Sequence, residues 1–370
     1  KTGAWVRPRV YKKAGETVVD AYIREARGVR ESVGMVDVTT LGKIEIIGPD
    51  AAEFLNRVYT NAWLKLPVGK ARYGVMLRED GHVFDDGTTW RLDENRFLMT
   101  TTTANAAAVL LHLEYYLDIV WTDLKVKVVS VTEQWAGLAL AGPNSRKVLE
   151  KILSDVDMSN DAFPFMAVMD ATLGEIPVKV ARLSFSGELA YEVWCASHFG
   201  YEMWDQIYQA GLEFDIVPYG TEALGTLRIE KGHVSGPELD GRTTLDDLGL
   251  SWAWGKKDFI GKPLAQRTGL QDPKRKKLVG LISKEGKAIR SGSQIILSKG
   301  SESAKKPQGH VTSTTYSPAL GKYIALALIS EGREKINQTV YATYPLKDEI
   351  QEVEIVEPHF FDPEGSRMHV

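Results

Sequence analysis

Cysteine is almost absent from this sequence, which carries Cys195 alone among 370 residues. A single thiol excludes an internal disulfide framework and any metal site built from clustered cysteines. Its neighbours Tyr191, Val193 and Trp194 indicate a packed strand, so we interpret Cys195 as a small buried residue. Without disulfides, the default expectation is a reducing, cytoplasmic setting.

Long apolar runs and an excess of positive charge are also missing. No stretch approaches the roughly 18 apolar residues of a membrane-spanning helix, and no signal peptide is visible. The formal net charge is −4, and Lys274 to Lys277 is the one basic run that stands out. We interpret that run as a solvated linker. The sequence therefore predicts neither a membrane partner nor a nucleic-acid partner.

Several motifs of common enzyme classes do not occur in the sequence. No Gly-x-Gly-x-x-Gly follows a strand, and no Walker-type Gly-Lys-Ser/Thr is present, so this chain alone has no evident dinucleotide or nucleoside-triphosphate cradle. A Gly-x-Ser-x-Gly elbow is missing too, and the seven histidines lie mostly beside loops or turns. Hydrolase chemistry based on a Ser–His–Asp triad is not expected.

Two segments share an order of strand, Gly-Pro break and helix. Residues 43–47 alternate like a strand, Gly48-Pro49 interrupts them, and a helical pattern follows. Residues 135–140 repeat this order, with Gly142-Pro143 as the break. The repetition indicates an α+β body with internal pseudo-symmetry.

The character of the sequence changes after the polar segment 271–275. Before it, apolar residues at helical spacing predict helices over 17–34, 103–117, 199–211 and 220–231. After it, frequent turns separate short strands predicted at 277–283, 293–298, 309–315, 323–329, 338–345 and 350–356. We therefore expect a body over 1–270, made of two interleaved subdomains, and a C-terminal β-barrel domain over 276–360.

Asp85 and Asp86 form an acidic pair within the extended stretch Gly81 to Trp90. Adjacent side chains of extended chain point to opposite faces, so one carboxylate can face solvent while the other faces inward. An inward carboxylate is costly without a partner, which makes it a candidate for function. The alternative is an ordinary turn, in which carboxylates are common.

Two further charged residues have both a structural and a functional interpretation. Glu192 lies between Tyr191 and Val193 in a strand-like run, where pairing with a cross-strand base is an equal alternative. Arg228 follows Leu224 by one helical turn, on an apolar flank that can bury its stem. From the residues alone, a structural ion pair is the favoured interpretation of Arg228.

Taken together, these stretches resemble the folate-dependent aminomethyltransferase family, which comprises the T-protein of the glycine cleavage system and its relatives. The resemblance spans nearly the whole chain in order. The segments that carry it are Gly34 to Thr39, Ile47 to Ala51, Phe84-Asp85-Asp86, Ser186-Gly187-Glu188, Gly225 to Glu230, Asp258 to Lys262 and Tyr316 to Lys322.

Within the family, the sequence is most similar to the C-terminal, folate-binding portion of the alpha subunit of heterotetrameric sarcosine oxidase. This similarity rests on Tyr73 to Met76, Phe97 to Thr103, Asn160 to Met166 and Phe360 to Gly365. It implies tetrahydrofolate as cofactor, a small methylated amine as substrate and other sarcosine oxidase subunits as partners. Flavin and NAD would bind to upstream sequence or to those subunits, in keeping with a first residue other than Met.

The resemblance also implies roles for individual residues. Asp86 aligns with the catalytic carboxylate beside the reactive folate nitrogens, which leaves Asp85 as surface or turn structure. Glu192 aligns with the carboxylate that binds the pterin ring. The remaining positions expected to contact the cofactor are Arg228, Phe163, Phe185, Tyr73 and Thr102.

Two departures from family patterns bear on the function. Val234 to Glu238 lacks the tyrosine of the glycine-cleavage branch, and Lys231 to Glu238 lacks the cysteine of non-catalytic relatives. We therefore expect tetrahydrofolate-dependent one-carbon transfer that forms 5,10-methylenetetrahydrofolate in a sarcosine oxidase alpha-type subunit. The alternatives are a free-standing aminomethyltransferase or demethylase, and a folate-binding regulatory module without turnover.

Overall fold

A computed structural model describes residues 5–154, 156–300 and 306–370. Within these ranges the α-helices are α1 (Val18–Glu31), α2 (Ala51–Val58), α3 (Ala106–Tyr115), α4 (Ser145–Glu150), α5 (Gly200–Gly211), α6 (Thr221–Lys231) and α7 (Lys262–Ala265). The strands of the first 270 residues are β1 (Gly34–Asp37), β2 (Gly42–Ile47), β3 (Lys70–Leu77), β4 (Val83–Asp93), β5 (Arg96–Thr101), β6 (Lys127–Ser130), β7 (Trp135–Ala141), β8 (Leu153–Ser154), β9 (Val168–Leu173), β10 (Ile176–Ala181), β11 (Ala190–Ala196) and β12 (Val217–Pro218). The later strands are β13 (Lys276–Ser283), β14 (Gln294–Ile296), β15 (Gly309–Ser317), β16 (Lys322–Ser330), β17 (Thr339–Tyr344) and β18 (Glu349–Val356).

The first helix shows how local sequence sets an element. Thr17 and Asp20 form a capping box, in which the Thr17 hydroxyl accepts from the Asp20 backbone N–H at 3.1 Å and the Asp20 carboxylate accepts from the Thr17 N–H at 2.9 Å. The helix ends at Glu31, three residues before the predicted end, because Gly34 already belongs to β1. The helix predicted from its apolar spacing is thus confirmed, with an earlier end.

The two Gly-Pro breaks stand at equivalent places in two different sheets. Gly48 follows β2 in a five-stranded sheet of order β3-β4-β5-β2-β6, and Gly142 follows β7 in a seven-stranded sheet of order β12-β1-β7-β11-β10-β9-β8. Both glycines have positive φ, 144° and 126°, and an added Cβ would lie 2.1 Å from the Lys125 carbonyl oxygen or 2.4 Å from that of Ser32. Only glycine fits either position, and the predicted repeat of strand, break and helix is confirmed.

The C-terminal barrel closes in the order β13-β16-β15-β14-β17-β18. All six predicted strands are present within three residues of their expected ends. Residues that point inward from the strands, among them Val279, Leu281 and Ala325, fill the core of the barrel. The α+β body with a C-terminal β-barrel is therefore confirmed.

The two sheets of the body face each other across a shared core. Trp90 and Leu98 of the five-stranded sheet pack there with Trp194 of the seven-stranded sheet. Helices cover the outer faces: α2 and α3 on the first sheet, and α4 and α5 on the second. Both faces of each sheet are therefore enclosed where the layers overlap.

The barrel meets the body at one end of β3 and β4. Val75 and Leu77 pack with Leu326 and Leu328 of barrel strand β16. Asp86 is the register partner of Val75, which places this carboxylate where the two sheets and the barrel come together.

Among the residues that the structure describes, no helix is long and apolar enough to cross a membrane.

Candidate functional site

Asp86 lies on the face of β4 that points toward the second sheet. Strand alternation puts it on the same face as Trp90, four residues later. Tyr73, from the neighbouring strand, donates its hydroxyl hydrogen to Oδ2 of Asp86 at 2.7 Å. No other residue within the described ranges donates a hydrogen bond to Oδ1. One carboxylate oxygen is therefore fixed and the other remains available.

The environment of Asp86 favours its protonated form. Burial raises the pKa of Asp86 to about 7, and the nearby Asp85 carboxylate contributes in the same direction. The hydrogen bond from Tyr73 opposes this shift. A carboxyl group that titrates near neutral pH can both hold and release a proton under working conditions.

The expectation that Asp85 belongs to surface or turn structure is wrong. Asp85 is 0 % exposed, and its carboxylate accepts from the Thr102 backbone N–H at 3.1 Å and from Nδ2 of Asn105 at 3.2 Å. Alternation does place it opposite Asp86, but the turn Thr103–Asn105 that precedes α3 covers that face of the sheet. Burial also raises the pKa of Asp85, against the effect of these hydrogen bonds.

Glu192 faces the same space between the sheets from strand β11. The indole Nε1–H of Trp194 donates to its Oε2 at 3.0 Å, and Oε1 receives no hydrogen bond from the described residues. Burial raises the pKa of Glu192 to about 7, while Trp194 and the charge of Lys43 act against the shift. The structure therefore brings Glu192 and Asp86 to facing walls of one core.

Lys43 is a buried cation at this site that the sequence analysis did not identify. Its Nζ bonds to the carbonyl oxygens of Thr39 and Trp135, at 2.5 and 2.9 Å, and lies 4.9 Å from the ring centre of Trp194. Burial lowers the pKa of Lys43 to about 8. In β2, Lys43 points to the face opposite the apolar Ile44, and from the sequence alone that face is expected to be exposed to solvent. No signal in the sequence shows that a second sheet covers it.

Arg228 is engaged in a buried ion pair. Its guanidinium donates to Glu238 at 2.9 Å, to the His233 carbonyl at 3.1 Å and to the Ser313 hydroxyl at 2.6 Å. Ser313 belongs to barrel strand β15, so the pair joins α6 to the barrel. These contacts match the structural interpretation of Arg228, and its contact with a cofactor stays a prediction.

The two predicted aromatic residues lie in different environments. Phe163 is buried and stacks on Tyr191, with ring centres 6.0 Å apart; Tyr191 faces the opposite side of β11 from Glu192. Phe185 is 43 % exposed, and His233 Nδ1 lies 3.0 Å from its carbonyl oxygen. The structure does not bring Phe163 to the face that carries Glu192.

The outer wall of the site contains one further aromatic residue that the sequence analysis missed. Trp252 is 66 % exposed, and its ring centre lies 6.0 Å from that of Tyr73. Thr102 contributes its backbone N–H to Asp85, which supports the acidic pair from behind. Within the described ranges, no group of three or more His, Cys, Asp or Glu side chains is arranged to hold a metal ion.

Comparison with protein families covers nearly the whole chain. Residues 1–258 match the GCVT N-terminal domain, and residues 276–362 match the glycine cleavage T-protein C-terminal barrel domain. The chain belongs to the glycine cleavage T-protein family. The resemblance described from the sequence is thereby confirmed.

Individual relatives in this T-protein family differ in length. The chain is 47% identical to sarcosine oxidase subunit alpha of Rhizobium meliloti over 376 residues, which is 100% of this chain and 38% of that protein. It is 31% identical to an aminomethyltransferase of Corynebacterium aurimucosum, over 88% of this chain and 84% of that protein. The chain thus spans well under half the length of the sarcosine oxidase relative.

A solved structure shares the T-protein fold. The glycine cleavage system aminomethyltransferase T from Bartonella henselae aligns with a TM-score of 0.83, over 97% of this chain and 92% of that one. The two sequences are 22% identical, so this likeness supports the architecture of the body and the barrel and no more.

Proposed function

We propose that this chain binds tetrahydrofolate, whose N5 and N10 amines condense, with loss of water or amine, with the formaldehyde or imine that a flavin outside this chain produces by two-electron oxidation of a methylated amine, forming 5,10-methylenetetrahydrofolate. The observation that carries the proposal is the pair Asp86 and Glu192. Both are carboxylates with a raised pKa, they face one space from two different sheets, and each has one oxygen without a hydrogen bond from the described residues. Raised pKa values at facing acidic groups are typical of functional sites.

The residues of the site fit a folate. A pterin ring presents an amino group and a ring N–H along one edge, and Oε1 of Glu192 is an acceptor suited to that edge. The rings of Tyr73 and Trp252 provide an aromatic wall next to Asp86. Flat aromatic ligands are held well by such surfaces.

Asp86 supplies the chemistry that the chain itself contributes. When bound, tetrahydrofolate supplies the N5 and N10 amines that take up the one-carbon unit. A carboxylate at Asp86 stabilises positive charge that develops nearby, and it can take a proton at Oδ1. Tyr73 keeps Oδ2 occupied and so fixes the orientation of the group. In a poorly hydrated pocket, one preorganised group of this kind typically accounts for about 10²–10³ in rate.

We further propose that the chain is the folate-binding part of a sarcosine oxidase alpha-type subunit in the cytoplasm. The support is the match to sarcosine oxidase subunit alpha of Rhizobium meliloti, which covers 100% of this chain and 38% of that protein. Flavin and NAD would then bind outside this chain, and other subunits would be its partners. A free-standing aminomethyltransferase is the second candidate, because the chain covers 84% of the Corynebacterium aurimucosum enzyme.

Calorimetric titration of the purified chain with tetrahydrofolate tests the proposal, followed by addition of formaldehyde as one-carbon source. We expect binding and formation of the methylene product. Asp86→Asn should bind tetrahydrofolate but lose most of the enzyme-catalysed product formation. Absence of tetrahydrofolate binding to the wild-type chain would refute the proposal, and activity of Asp86→Asn within a few fold of wild type would refute the role of Asp86.

A further inference from the structure

Two tryptophans meet edge to face between the sheets. The ring centres of Trp90 in β4 and Trp194 in β11 are 5.7 Å apart, with an interplanar angle of 90°. Both side chains are fully buried. Each indole N–H bonds within its own strand: that of Trp194 to Glu192 at 3.0 Å, and that of Trp90 to the Thr88 hydroxyl at 3.2 Å. The two indoles are therefore equally buried members of one ring pair, but they have different hydrogen-bond partners.

The indole of Trp194 is held on several sides. Gly137 is its register partner in β7, and an added Cβ there would lie 2.9 Å from the indole ring. Lys43 Nζ lies 4.9 Å from the ring centre and is itself held by the Trp135 carbonyl at 2.9 Å. A ring restrained in this way presents its N–H in one direction.

We propose that Trp194 is a positioning residue for Glu192: its indole N–H holds Oε2, so that Oε1 alone is presented to the ligand, and Lys43 holds the indole in place. The inference rests on the proposed function, in which Glu192 binds the pterin edge. A glutamate side chain has several rotatable bonds, and a fixed acceptor loses less conformational freedom on binding than a mobile one.

The matched pair of variants is Trp194→Phe and Trp90→Phe. Both replace a fully buried indole of the same ring pair by a smaller ring, so both lose packing in the shared core. Only Trp194→Phe removes the hydrogen bond to Glu192. We expect Trp194→Phe to bind tetrahydrofolate about tenfold more weakly than wild type, as loss of a hydrogen bond to a charged group typically implies. Trp90→Phe should bind within about threefold of wild type.

A second readout needs no ligand. The chain contains nine tryptophans, whose indole N–H resonances can be followed by ¹H–¹⁵N spectroscopy. The Trp194 resonance should shift with pH near 7 as Glu192 ionises. That titration should vanish in Glu192→Gln, and this substitution should leave the pH dependence of the Trp90 resonance, whose strand carries Asp86, unchanged.

Three other ionisable groups lie near Glu192 or face the same core, and burial raises the pKa of one of them, Asp86, to about 7 as well. Burial raises the pKa of the Tyr219 phenol above its usual range, and burial lowers the pKa of Lys43 only to about 8. Asp37 and Glu133 are the further charges that act on Lys43. Variants Asp37→Asn, Glu133→Gln and Asp86→Asn should leave the Trp194 step in place, whereas Glu192→Gln removes it, and this contrast assigns the step to Glu192.

The outcomes separate this inference from the proposed function. Weaker binding of Glu192→Gln together with unchanged binding of Trp194→Phe would overturn the positioning role of Trp194. Unchanged binding of Glu192→Gln would instead contradict the proposed pterin contact. If Trp194→Phe does not fold, the wild-type spectrum still decides, because a Trp194 resonance that ignores the ionisation of Glu192 overturns the inference.

Discussion

Tyr73 Oη lies 2.7 Å from Oδ2 of Asp86, and it donates its hydrogen across the β3–β4 pair. Burial and the charge of Asp86 raise the pKa of Tyr73 above its usual range, so the phenol stays a donor at all working pH values. The same bond acts against the rise in the pKa of Asp86. Tyr73 thus both orients the carboxylate and sets the pH at which it ionises.

Replacing Tyr73 by phenylalanine tests this double role. Tyr73→Phe should raise the pKa of Asp86 further, because the hydrogen bond that favours its ionised form is lost. We expect about tenfold slower one-carbon transfer at pH 7, with the acid limb of the pH–rate profile moved to higher pH. Tyr323→Phe, in the barrel, is the control and should leave the profile unchanged. An acid limb that stays in place in Tyr73→Phe would contradict the assignment.

Asp85→Asn should move the same limb in the opposite direction. Asp85 lies behind Asp86, and its negative charge raises the pKa of Asp86. Removing that charge should lower the pKa of Asp86 and shift the acid limb to lower pH. Because an amide donor would then face the Thr102 N–H or Asn105 Nδ2, we also expect the free energy of unfolding to fall by about 1–3 kcal/mol.

Asn105→Ala separates the two effects of Asp85→Asn. This variant removes the hydrogen bond that Asn105 Nδ2 donates to Asp85 but leaves the Asp85 carboxylate in place. It should therefore lower the free energy of unfolding without lowering the pKa of Asp86. Parallel pH–rate profiles and urea titrations of both variants make the comparison. Equal shifts of the acid limb in the two variants would show that loosening of the turn, rather than charge, controls Asp86.

Much of the architecture was predictable because its signals are local. The capping box at Thr17, the glycines at 48 and 142, and the short strands between turns of the barrel each depend on a few neighbouring residues. Alternation also separated Asp85 from Asp86 correctly. The sequence could not show what covers each face, since Thr102, which bonds to Asp85 just before the covering turn, follows it by 17 residues.

The site itself shows the same limit more strongly. Lys43 and Trp252 belong to the site through contacts between separate elements, and no local pattern distinguishes them from ordinary strand or loop residues. Trp194 contacts Glu192 within β11, but what covers that face of the strand is not visible in the sequence. Asp86 and Glu192 were identified through the family resemblance, and the structure adds that they face one core from two sheets. Phe163 shows the reverse: its position matches the family pattern, but its ring stacks on Tyr191, which lies on the face of β11 opposite Glu192.

The two raised pKa values predict a cost in stability. A carboxyl group whose pKa is higher in the folded than in the unfolded chain binds its proton more tightly when the chain is folded. The free energy of unfolding therefore falls as the pH rises from about 4 through about 7. Asp86→Asn and Glu192→Gln should therefore be more stable than wild type at pH 8, on the order of 1–3 kcal/mol each, allowing for partial solvent access.

The gain should disappear as the pH is lowered to about 4, where wild type holds both protons. Urea unfolding at pH 4.5, 6 and 8 measures this dependence. Asp161→Asn, at an exposed position, is the control and should show no gain in stability at any of these pH values. A gain for Asp86→Asn that is independent of pH would mean that the ionisation of Asp86 is not its cause.

Arg228 and Glu238 should stabilise the fold as a coupled pair. Glu238 also accepts from the Thr312 and Ser313 hydroxyls at 2.6 and 2.7 Å, so its charge is fully enclosed at the barrel contact. Arg228→Met leaves that charge unpaired and should lower the free energy of unfolding by about 3–5 kcal/mol. The double variant with Glu238→Gln should lose less than the sum of the single losses, as urea titration of all four proteins would show. Arg290→Met, which breaks the solvent-exposed pair with Glu349, should change the stability far less than Arg228→Met does. Strict additivity at Arg228 and Glu238 would mean that the two side chains do not stabilise each other, and would contradict the structural role of the pair.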